Sequence, residues 1–310
     1  MIRLLQKVER NPNWDINRQG TFRGKPGYTI LHVATEANKE EVVKAVIPRG
    51  MYINAYDGTN FTSLMIASNA GEYQMVKLLL DFGANANMLG PKQLTCLLLA
   101  AKGGSLEIVK ELVERGQASL DTVNDEGYSA VMMAAARGYP DIVRYLVEHG
   151  ADIHLNDISS NSALTWAIYG RHHEIVSVLL ENGADFELYN EMGMNSLLLA
   201  AARDDNVIVE MLMARGADIN AVTRKDHKSA LHFAAENGSP SVAKALIEGG
   251  IDLDIEWEKG IEKVRKSAYD VAVDGLKHEL VDMISKRKKL LAYKMLERNK
   301  KIVENNGDEL

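Results

Sequence analysis

The sequence predicts an all-α protein built as a solenoid of stacked helix-turn-helix units, which are joined by β-hairpin-like loops. Three observations predict this fold. One segment, GYSAVMMAAARGYPDIVRYLVEHGADIHLN at 127–156, recurs with substitutions along most of the chain. Each copy holds two short runs with apolar residues at helical spacing, and a glycine follows most of these runs. A helix pair of this size buries too little apolar surface by itself, so the copies must stack.

The segment 127–156 shows how each element is encoded. Ser129 can accept a backbone N–H bond and so begin a first helix. Gly138 ends that helix, and the buried side of a second helix is formed by Ile142, Val143, Leu146 and Val147. Gly150 then closes the second helix, because glycine readily takes the left-handed conformation found at helix ends. The segment therefore predicts a complete helix pair.

The copies recur at a regular spacing. The apolar residue two positions after each helix cap recurs at Leu31, Leu64, Leu97, Val131, Leu164, Leu197, Leu231 and Tyr269. By subtraction, the steps are 33, 33, 34, 33, 33, 34 and 38 residues. Glycines of the second helices keep the same step, at Gly50, Gly83, Gly116, Gly150, Gly183, Gly216 and Gly250. This spacing predicts eight repeats.

A period near 33 residues with two helices per unit is the spacing of ankyrin repeats. Short motifs agree with it: TILHVA at 29–34, SALHFAA at 229–235, and GADIH, GADFE and GADIN, which begin at Gly150, Gly183 and Gly216. The chain therefore resembles the ankyrin-repeat family over roughly residues 1–285. The resemblance implies an ankyrin-repeat α-solenoid, but a fold does not fix a biochemical function.

We predict three segments along the chain. Residues 1–19 form an N-terminal capping half-repeat, because NWDIN at 13–17 mimics the exit of a complete repeat. Residues 20–285 hold ankyrin repeats 1–8, with a long first connection and an insertion before the last repeat that contains Trp257. Residues 286–310 form a basic amphipathic C-terminal helix with a frayed tail.

The C-terminal segment differs from the rest of the chain in its charge. Residues 286–301 hold eight basic residues against Glu297, a net charge of +7, so the rest of the −7 chain carries −14. Leu291, Met295 and Ile302 fall on one side of a helix. We expect this helix to extend the last repeat and shield the end of the stack. A basic amphipathic helix can also bind an acidic protein or an anionic membrane.

We predict that the middle of the array opens before its ends. In the family a proline usually follows the cap, where it presets the helical φ angle, but none follows a cap here. Arg171 and Asp204 also replace the glycine that ends the first helix of repeats five and six. Amide exchange should therefore be fastest across Ser162–Gly216, and uniform protection there would contradict the prediction.

The sequence shows no motif for catalysis, a cofactor or a metal. It lacks a phosphate-binding lysine loop, a dinucleotide-binding turn and a nucleophile elbow. His172 and His173 are adjacent, and neighbouring helical residues point about 100° apart, so the two are poorly placed to share a metal. We therefore expect a protein that is not an enzyme and has no cofactor or metal.

Bulk properties predict the compartment and the class of ligand. The single cysteine, Cys96, excludes an internal disulfide framework and suits a reducing compartment. Neither a signal peptide nor a run of eighteen apolar residues is evident, so we expect an intracellular, cytoplasmic protein. The negative net charge argues against nucleic acid as the main ligand. We also expect a monomer.

Two kinds of residue are predicted to be structural. Trp166 takes the position that Val33 and Phe233 hold in other repeats, and we predict that it packs in the core. His32 and His232 occupy the Leu-His position of the family. The resemblance implies that their imidazoles bond to nearby backbone and fasten neighbouring loops.

The resemblance also implies a binding surface: a concave groove formed by hairpin tips and the exposed side of the first helices. The hairpin position before each cap holds Tyr28, Phe61, Leu94, Tyr128, Asn161, Met194 and Lys228, and five of these seven are apolar or aromatic. Aromatic and arginine side chains often concentrate binding energy. The predicted partner-binding residues are Tyr28, Phe61, Tyr128, Arg137, Tyr169, Arg203 and Trp257. Alternatively, several of the hairpin side chains pack under their own loops.

These patterns favour one function and leave one alternative. The first is a non-catalytic protein-interaction scaffold or inhibitor that holds a partner protein on the concave face. The alternative is an ankyrin-only adaptor or host-targeted effector whose basic C-terminal helix docks on an acidic partner or a membrane.

Overall fold

The computed structural model describes residues 15–259 and 264–307, which belong to two compact units with a boundary between Ile158 and Ser159. The predicted fold class is confirmed, because the described residues form sixteen α-helices and only four short β-strands. The helices come in pairs, one pair per repeat, with odd numbers for first helices and even numbers for second helices. Of the predicted half-repeat at 1–19, residues 1–14 lie outside the described residues.

Unit 1 holds repeats one to four. Its helices are α1 Ile30–Glu36, α2 Glu40–Val46, α3 Ser63–Ala70, α4 Tyr73–Asp81, α5 Cys96–Gly103, α6 Leu106–Glu114, α7 Ala130–Arg137 and α8 Pro140–Glu148. Strands β1 Gly20–Phe22 and β2 Lys25–Tyr28 form an antiparallel hairpin before α1. Short 3₁₀ turns occur at Ile47–Arg49 and Pro91–Gln93.

Unit 2 holds repeats five to eight. Its helices are α9 Ala163–Tyr169, α10 His173–Glu181, α11 Ser196–Ala202, α12 Asn206–Met213, α13 Ala230–Asn237, α14 Pro240–Gly249, α15 Ala268–Asp274 and α16 His278–Gly307. Strands β3 Glu256–Lys259 and β4 Val264–Ser267 form a second antiparallel hairpin before α15. The insertion around Trp257 therefore belongs to this hairpin.

The first helices begin at the capping residues that the sequence indicates. The side-chain oxygens of Thr62, Thr95 and Ser129 each accept the backbone N–H of the residue three positions later, at 3.2–3.3 Å. Asn195 makes the same bond in unit 2, at 3.1 Å. These bonds satisfy N–H groups that the first helical turn leaves unpaired, and each typically stabilises a helix by about 1 kcal/mol.

The core of each unit lies between its rows of helices. Leu97 and Leu98 of α5 face a buried interior shared with Ile108 and Leu112 of α6, and all four side chains are almost fully buried. In unit 1, α3 packs on both α1 and α5, and in unit 2, α11 packs on both α9 and α13. Each helix pair therefore buries its apolar side against its neighbours, as stacking requires.

Backbone hydrogen bonds join the loops of successive repeats. In unit 1, the N–H of Gly58 donates to the carbonyl of Pro26 at 3.0 Å, and that of Asp125 donates to Lys92 at 3.1 Å. Gly27 has φ 71°, and a β-carbon there would lie 2.3 Å from the Gly58 nitrogen. Only glycine fits this close approach. The Tyr56 hydroxyl joins the loops of repeats two and three by donating to the carbonyl of Leu89 at 2.9 Å, so the loops of unit 1 form a connected row.

A second row of hydrogen bonds joins the segments that leave the second helices of successive repeats, which we call the exits. The side-chain oxygens of Asn54, Asn87 and Asp121 accept the backbone N–H groups of Asn85, Ser119 and Asp152 at 2.8–2.9 Å. Asn17 accepts the N–H of Tyr52 in the same way, at 2.7 Å. The Asn or Asp at the end of each exit motif thus positions the following repeat.

The two buried histidines link a helix cap to the next loop. Nδ1 of His32 lies 2.8 Å from Thr29 Oγ1, and its Nε2–H donates to the carbonyl of Ala55 at 3.1 Å. In unit 2, Nδ1 of His232 lies 2.7 Å from Ser229 Oγ, and its Nε2–H donates to the carbonyl of Lys266 at 3.0 Å. This matches the role that the family resemblance implies. Burial lowers the pKa of both imidazoles.

We expect the free energy of unfolding to fall as the pH drops below about 6.5. An unfolded histidine takes up a proton near that pH, whereas the lowered pKa of folded His32 and His232 keeps them neutral. The unfolded state then binds more protons, and acid favours it. Chemical denaturation between about pH 5 and 8 should show this slope. The double variant His32→Gln/His232→Gln should flatten it, whereas His154→Gln, at an exposed position, should not.

Helix α16 continues the last repeat without a break. Leu280 and Ile284 are buried against the repeat, with 1% and 0% of their surface exposed. Between Leu290 and Leu296 its large apolar side chains are open to solvent. The first turns of the helix therefore cover the last repeat. The described side chains farther along the helix do not cover it.

Candidate functional site

The hairpin loops are folded around buried polar side chains. Oδ1 of Asp57 accepts the backbone N–H groups of Thr59 at 2.8 Å and Phe61 at 2.9 Å. Oδ1 of Asn124 accepts the N–H of Tyr128 at 2.9 Å. The backbone N–H groups of Asp57 and Asn124 in turn donate to the carbonyls of Phe61 and Tyr128, at 2.8 and 3.1 Å. Two hydrogen bonds thus fix the backbone of Phe61 and of Tyr128, each just before a cap.

The positions before the caps present apolar side chains in unit 1. Phe61, Leu94 and Tyr128 are each half-buried at the position before the cap. Nearby on the first helices, Ile66 and Met133 are also half-buried. We call these five residues the unit 1 surface. Since successive hairpins are joined in a row and successive first helices pack together, the five positions follow that row.

Polar and charged residues border the unit 1 surface. Asn69, Lys102 and Arg137 lie near the ends of α3, α5 and α7, and all three are exposed. The predicted residues Phe61, Tyr128 and Arg137 therefore come from the same row of repeats. An apolar centre with a polar border is the usual composition of a protein interface.

Two of the predicted binding residues are buried. Tyr28 is 4% exposed, with its ring stacked 5.9 Å from that of Phe22. Trp257 is 7% exposed, and its indole N–H donates to Asp226 Oδ2 at 2.9 Å. Both rings pack within the longer hairpins that begin repeats one and eight. Their burial removes Tyr28 and Trp257 from the accessible part of the predicted set.

An aromatic cluster occupies the corresponding part of unit 2. The rings of Trp166 and Tyr169 lie 5.5 Å apart on α9. The Tyr169 hydroxyl lies 3.8 Å from Met192 Sδ and accepts a long, 3.5 Å hydrogen bond from Asn190 Nδ2. Arg203, at the end of α11, is exposed. Tyr169 and Arg203 are thus accessible, as a binding role requires.

The prediction that Trp166 packs in the core is wrong. Its side chain is half-buried, although Ala167 and Ile168 beside it are fully buried. The smaller Val33 and Ile66, at the same position of other repeats, are half-buried as well. Their shared apolar character suggested a core position. This position of the first helix lies at the edge of the core, where the large ring of Trp166 remains partly accessible to solvent.

Met192 is a further accessible residue that the repeat pattern does not single out, with its side chain 53% exposed beside Tyr169. Its position at a hairpin tip, outside both helices of the repeat, was a usable signal. Asn190, 5% exposed, fixes the same hairpin by accepting the N–H of Met194 at 3.2 Å.

A lysine occupies the hairpin position of repeat seven. Lys228 is 9% exposed, and its Nζ lies 4.1 Å from the centre of the Phe233 ring and 4.5 Å from that of Trp257. Its ammonium group also pairs with Glu236. The lysine is therefore held between two aromatic rings and a carboxylate, so this position is structural.

A polar cluster joins repeats five and six within unit 2. Arg171, which stands in a glycine position with φ 57°, donates from Nε to Asp205 Oδ2 at 3.0 Å. His173 Nε2 lies 2.8 Å from the same oxygen, and the N–H of Ile208 donates to Oδ1 at 3.2 Å. Burial raises the pKa of Asp205, but the hydrogen bonds from His173, Ile208 and Arg171 outweigh it and hold the pKa below its ordinary value.

Replacing Asp205 by alanine is expected to lower the free energy of unfolding by about 2 kcal/mol, through loss of a helix cap and of charge-assisted hydrogen bonds. Urea denaturation would measure the change. Glu210→Ala is the control, because the Glu210 side chain, on the helix that Asp205 caps, is exposed. Equal effects of the two variants would contradict the role given to the Asp205 carboxylate.

Within the described residues there is neither a metal-binding cluster nor a reactive thiol. No group of three or more His, Cys, Asp or Glu side chains within 15–259 and 264–307 is arranged to bind a metal. Cys96 is buried, and burial raises the pKa of its thiol to about 12, so it stays protonated at neutral pH. None of the helices in the described part combines the length and the apolar character needed to cross a bilayer.

Comparison with known proteins agrees with the repeat architecture. The sequence profile of a family described as "Ankyrin repeats (3 copies)" matches residues 1–89, 64–157, 154–223 and 197–289. The crystal structure of the ankyrin repeat domain of Bcl-3, described as a unique member of the IkappaB protein family, superimposes with a TM-score of 0.63. Its sequence is 26% identical, and the match covers 71% of this chain and 98% of that one.

A plant relative matches a short stretch only. Potassium channel AKT2/3 of Arabidopsis thaliana is 39% identical over 59 residues, which is 19% of this chain and 7% of the channel. The likeness is thus limited to a small part of the channel.

Proposed function

Because the chain belongs to the ankyrin-repeat family, we propose that it is a non-catalytic scaffold or inhibitor that binds a partner protein through its hairpins and first helices. The observation that supports this most is the unit 1 surface. There, buried Asp57 and Asn124 hold the backbone of Phe61 and Tyr128 in place.

Rigid anchoring favours binding for an entropic reason. A side chain whose backbone is already fixed loses less conformational freedom when a partner arrives. Phe61 and Tyr128 carry large, rigid rings. At the border of the unit 1 surface, the guanidinium group of Arg137 offers several N–H donors. Such side chains often dominate the binding energy of a protein interface. Trp166, Tyr169 and Arg203 offer the same residue types in unit 2.

Charge suggests the chemistry of the partner. Outside residues 286–301 the chain carries a net charge of −14, which attracts basic partners over long distances. We therefore propose a partner with a basic surface and an acidic group that pairs with Arg137. We also propose that the protein is monomeric and cytoplasmic, which is consistent with its single, buried cysteine. Its ligand in this proposal is a protein and not a nucleic acid.

The test is affinity capture from lysate with the full chain as bait, followed by identification of the captured protein. The same capture is repeated after deletion of residues 286–310. The proposal predicts that the deletion variant retains the partner. Loss of the partner on deletion would support the alternative function and contradict this one.

The alternative is an adaptor or host-targeted effector that docks through its basic C-terminal helix. One observation favours it: α16 exposes Leu290, Tyr293 and Leu296 next to several lysines. Exposed apolar groups of this kind often mark an interaction site.

A further inference from the structure

The C-terminal part of α16 leaves its apolar side chains uncovered. The exposed fractions are 44% for Leu290, 60% for Tyr293 and 62% for Leu296, against 0% for Ile284 one and a half turns earlier. Met295, which falls on the same side of the helix as Ile284, is also 70% exposed. Burying apolar side chains is favourable. This run of exposed apolar side chains therefore indicates a surface that another molecule or a membrane covers.

The positions of these residues around the helix define an outward face. At about 100° per residue, Leu290, Tyr293 and Leu296 lie roughly 120° to 240° from Ile284. Ile284 is buried against the last repeat, so this side points away from it. An ion pair of 2.7 Å between Lys288 Nζ and Asp254 Oδ1 holds the opposite side near the exit of repeat seven. We call Leu290, Tyr293 and Leu296 the outward face.

Positive charge borders the outward face. Lys286 and Lys289 fall within or beside it at the same helical spacing, and Lys294 lies at its edge. Lys286 pairs weakly with Asp282 at 3.4 Å, but within the described side chains Lys289 and Lys294 make no ion pair. The one acid of residues 286–301 is Glu297, which falls within the outward face at about 220° from Ile284, where the three lysines outnumber it. The border therefore carries cations in excess.

We propose that the outward face of α16 docks on an anionic lipid bilayer. The interfacial region of a bilayer accepts leucine side chains and the amphipathic ring of tyrosine, while lysine stems reach the charged headgroups. Docking on a bilayer requires no shaped groove in the protein. It therefore suits a helix whose side chains 291–298 are all exposed. The inference does not rest on the unit 1 surface and concerns a separate part of the molecule.

Charge argues against a second copy as the occupant. Two α16 segments packed face to face would bring net charges of +7 and +7 together, and like charges repel. An anionic bilayer complements the segment and repels the −14 remainder of the chain, so attachment through the helix leaves the repeats free.

The test measures co-flotation of the full chain with phosphatidylcholine vesicles, with or without phosphatidylserine. The chain should bind only vesicles that contain phosphatidylserine, and added salt should weaken binding. Lys286→Gln/Lys289→Gln/Lys294→Gln should weaken binding by about a hundredfold at low salt. Leu290→Ser/Tyr293→Ser/Leu296→Ser should weaken it by at least about tenfold.

The matched control is Val273→Ser/Leu276→Ser, which removes two exposed apolar side chains from α15 and its following turn in the same unit. It should bind vesicles as the unchanged chain does. The proposal is overturned if the unchanged chain binds no vesicles, or if both triple variants bind as well as it does. Salt-sensitive binding to polyglutamate without any binding to vesicles would also overturn it, because the helix would then be a site for acidic protein.

Discussion

The double variant Tyr128→Ala/Arg137→Ala is expected to bind the captured partner about a hundredfold or more weakly than the unchanged chain. Each truncation removes a side chain of the type that contributes about 2 kcal/mol or more at the centre of an interface. Asn124 holds the backbone of Tyr128, so the ring is presented in a fixed position. Titration of the purified partner by calorimetry would measure the loss.

A matched control separates this effect from unfolding. Tyr52→Ala/Arg49→Ala removes the same two residue types from exposed positions beyond the hairpin row of unit 1. The control should bind the partner normally, and both double variants should melt close to the temperature of the unchanged chain. Equal affinity of the two double variants for the partner would exclude Tyr128 and Arg137 as binding residues.

The second large effect concerns stability. Leu179→Ala in α10 should lower the free energy of unfolding by about 2–5 kcal/mol, because it removes buried methyl groups and leaves a cavity. Leu179 is fully buried, and its helix packs on both α9 and α12. Urea denaturation followed by circular dichroism would measure the change.

Leu188→Ala is the control, since it makes the same substitution at a side chain that is 51% exposed. It should change the free energy of unfolding by no more than about 0.5 kcal/mol. A loss below about 1 kcal/mol for Leu179→Ala would show that stacking of the helix pairs is not what stabilises unit 2.

The repeat period made most of the fold predictable from the sequence. Eight copies of one pattern fix the register, so a weak signal in one copy is supported by the others. Arg171 and Asp204 illustrate this, because both adopt the left-handed conformation of the glycines that they replace, with φ 57° and 56°. The caps were predictable for the same reason, since Thr62, Thr95 and Ser129 stand at equivalent positions.

Burial within the candidate site was less predictable, because it depends on neighbouring loops. Tyr28 and Phe61 occupy the same position of successive repeats, yet the extra hairpin β1–β2 brings Phe22 over Tyr28 alone. Trp257 is covered through contacts with Asp226 and Lys228 of the preceding loop, 31 and 29 positions away. A repeat period predicts the position of a side chain but not which neighbouring residues cover it.

Contacts between repeats were likewise beyond the sequence pattern. Asp205 collects bonds from Arg171 and His173, which lie 34 and 32 residues earlier. Nothing in the spacing of a single repeat distinguishes Asp205 from an exposed carboxylate such as Asp204. Their different burial follows from the geometry of the neighbouring helix.

Hydrogen–deuterium exchange with and without the captured partner would locate the bound surface. Binding to the unit 1 surface should slow exchange at residues 57–62 and 124–129, and at the first turns of α3 and α7. Exchange along the even-numbered helices should stay as it is in the free protein. New protection confined to those even-numbered helices, with residues 57–62 and 124–129 unchanged, would contradict a partner held by the hairpins and first helices.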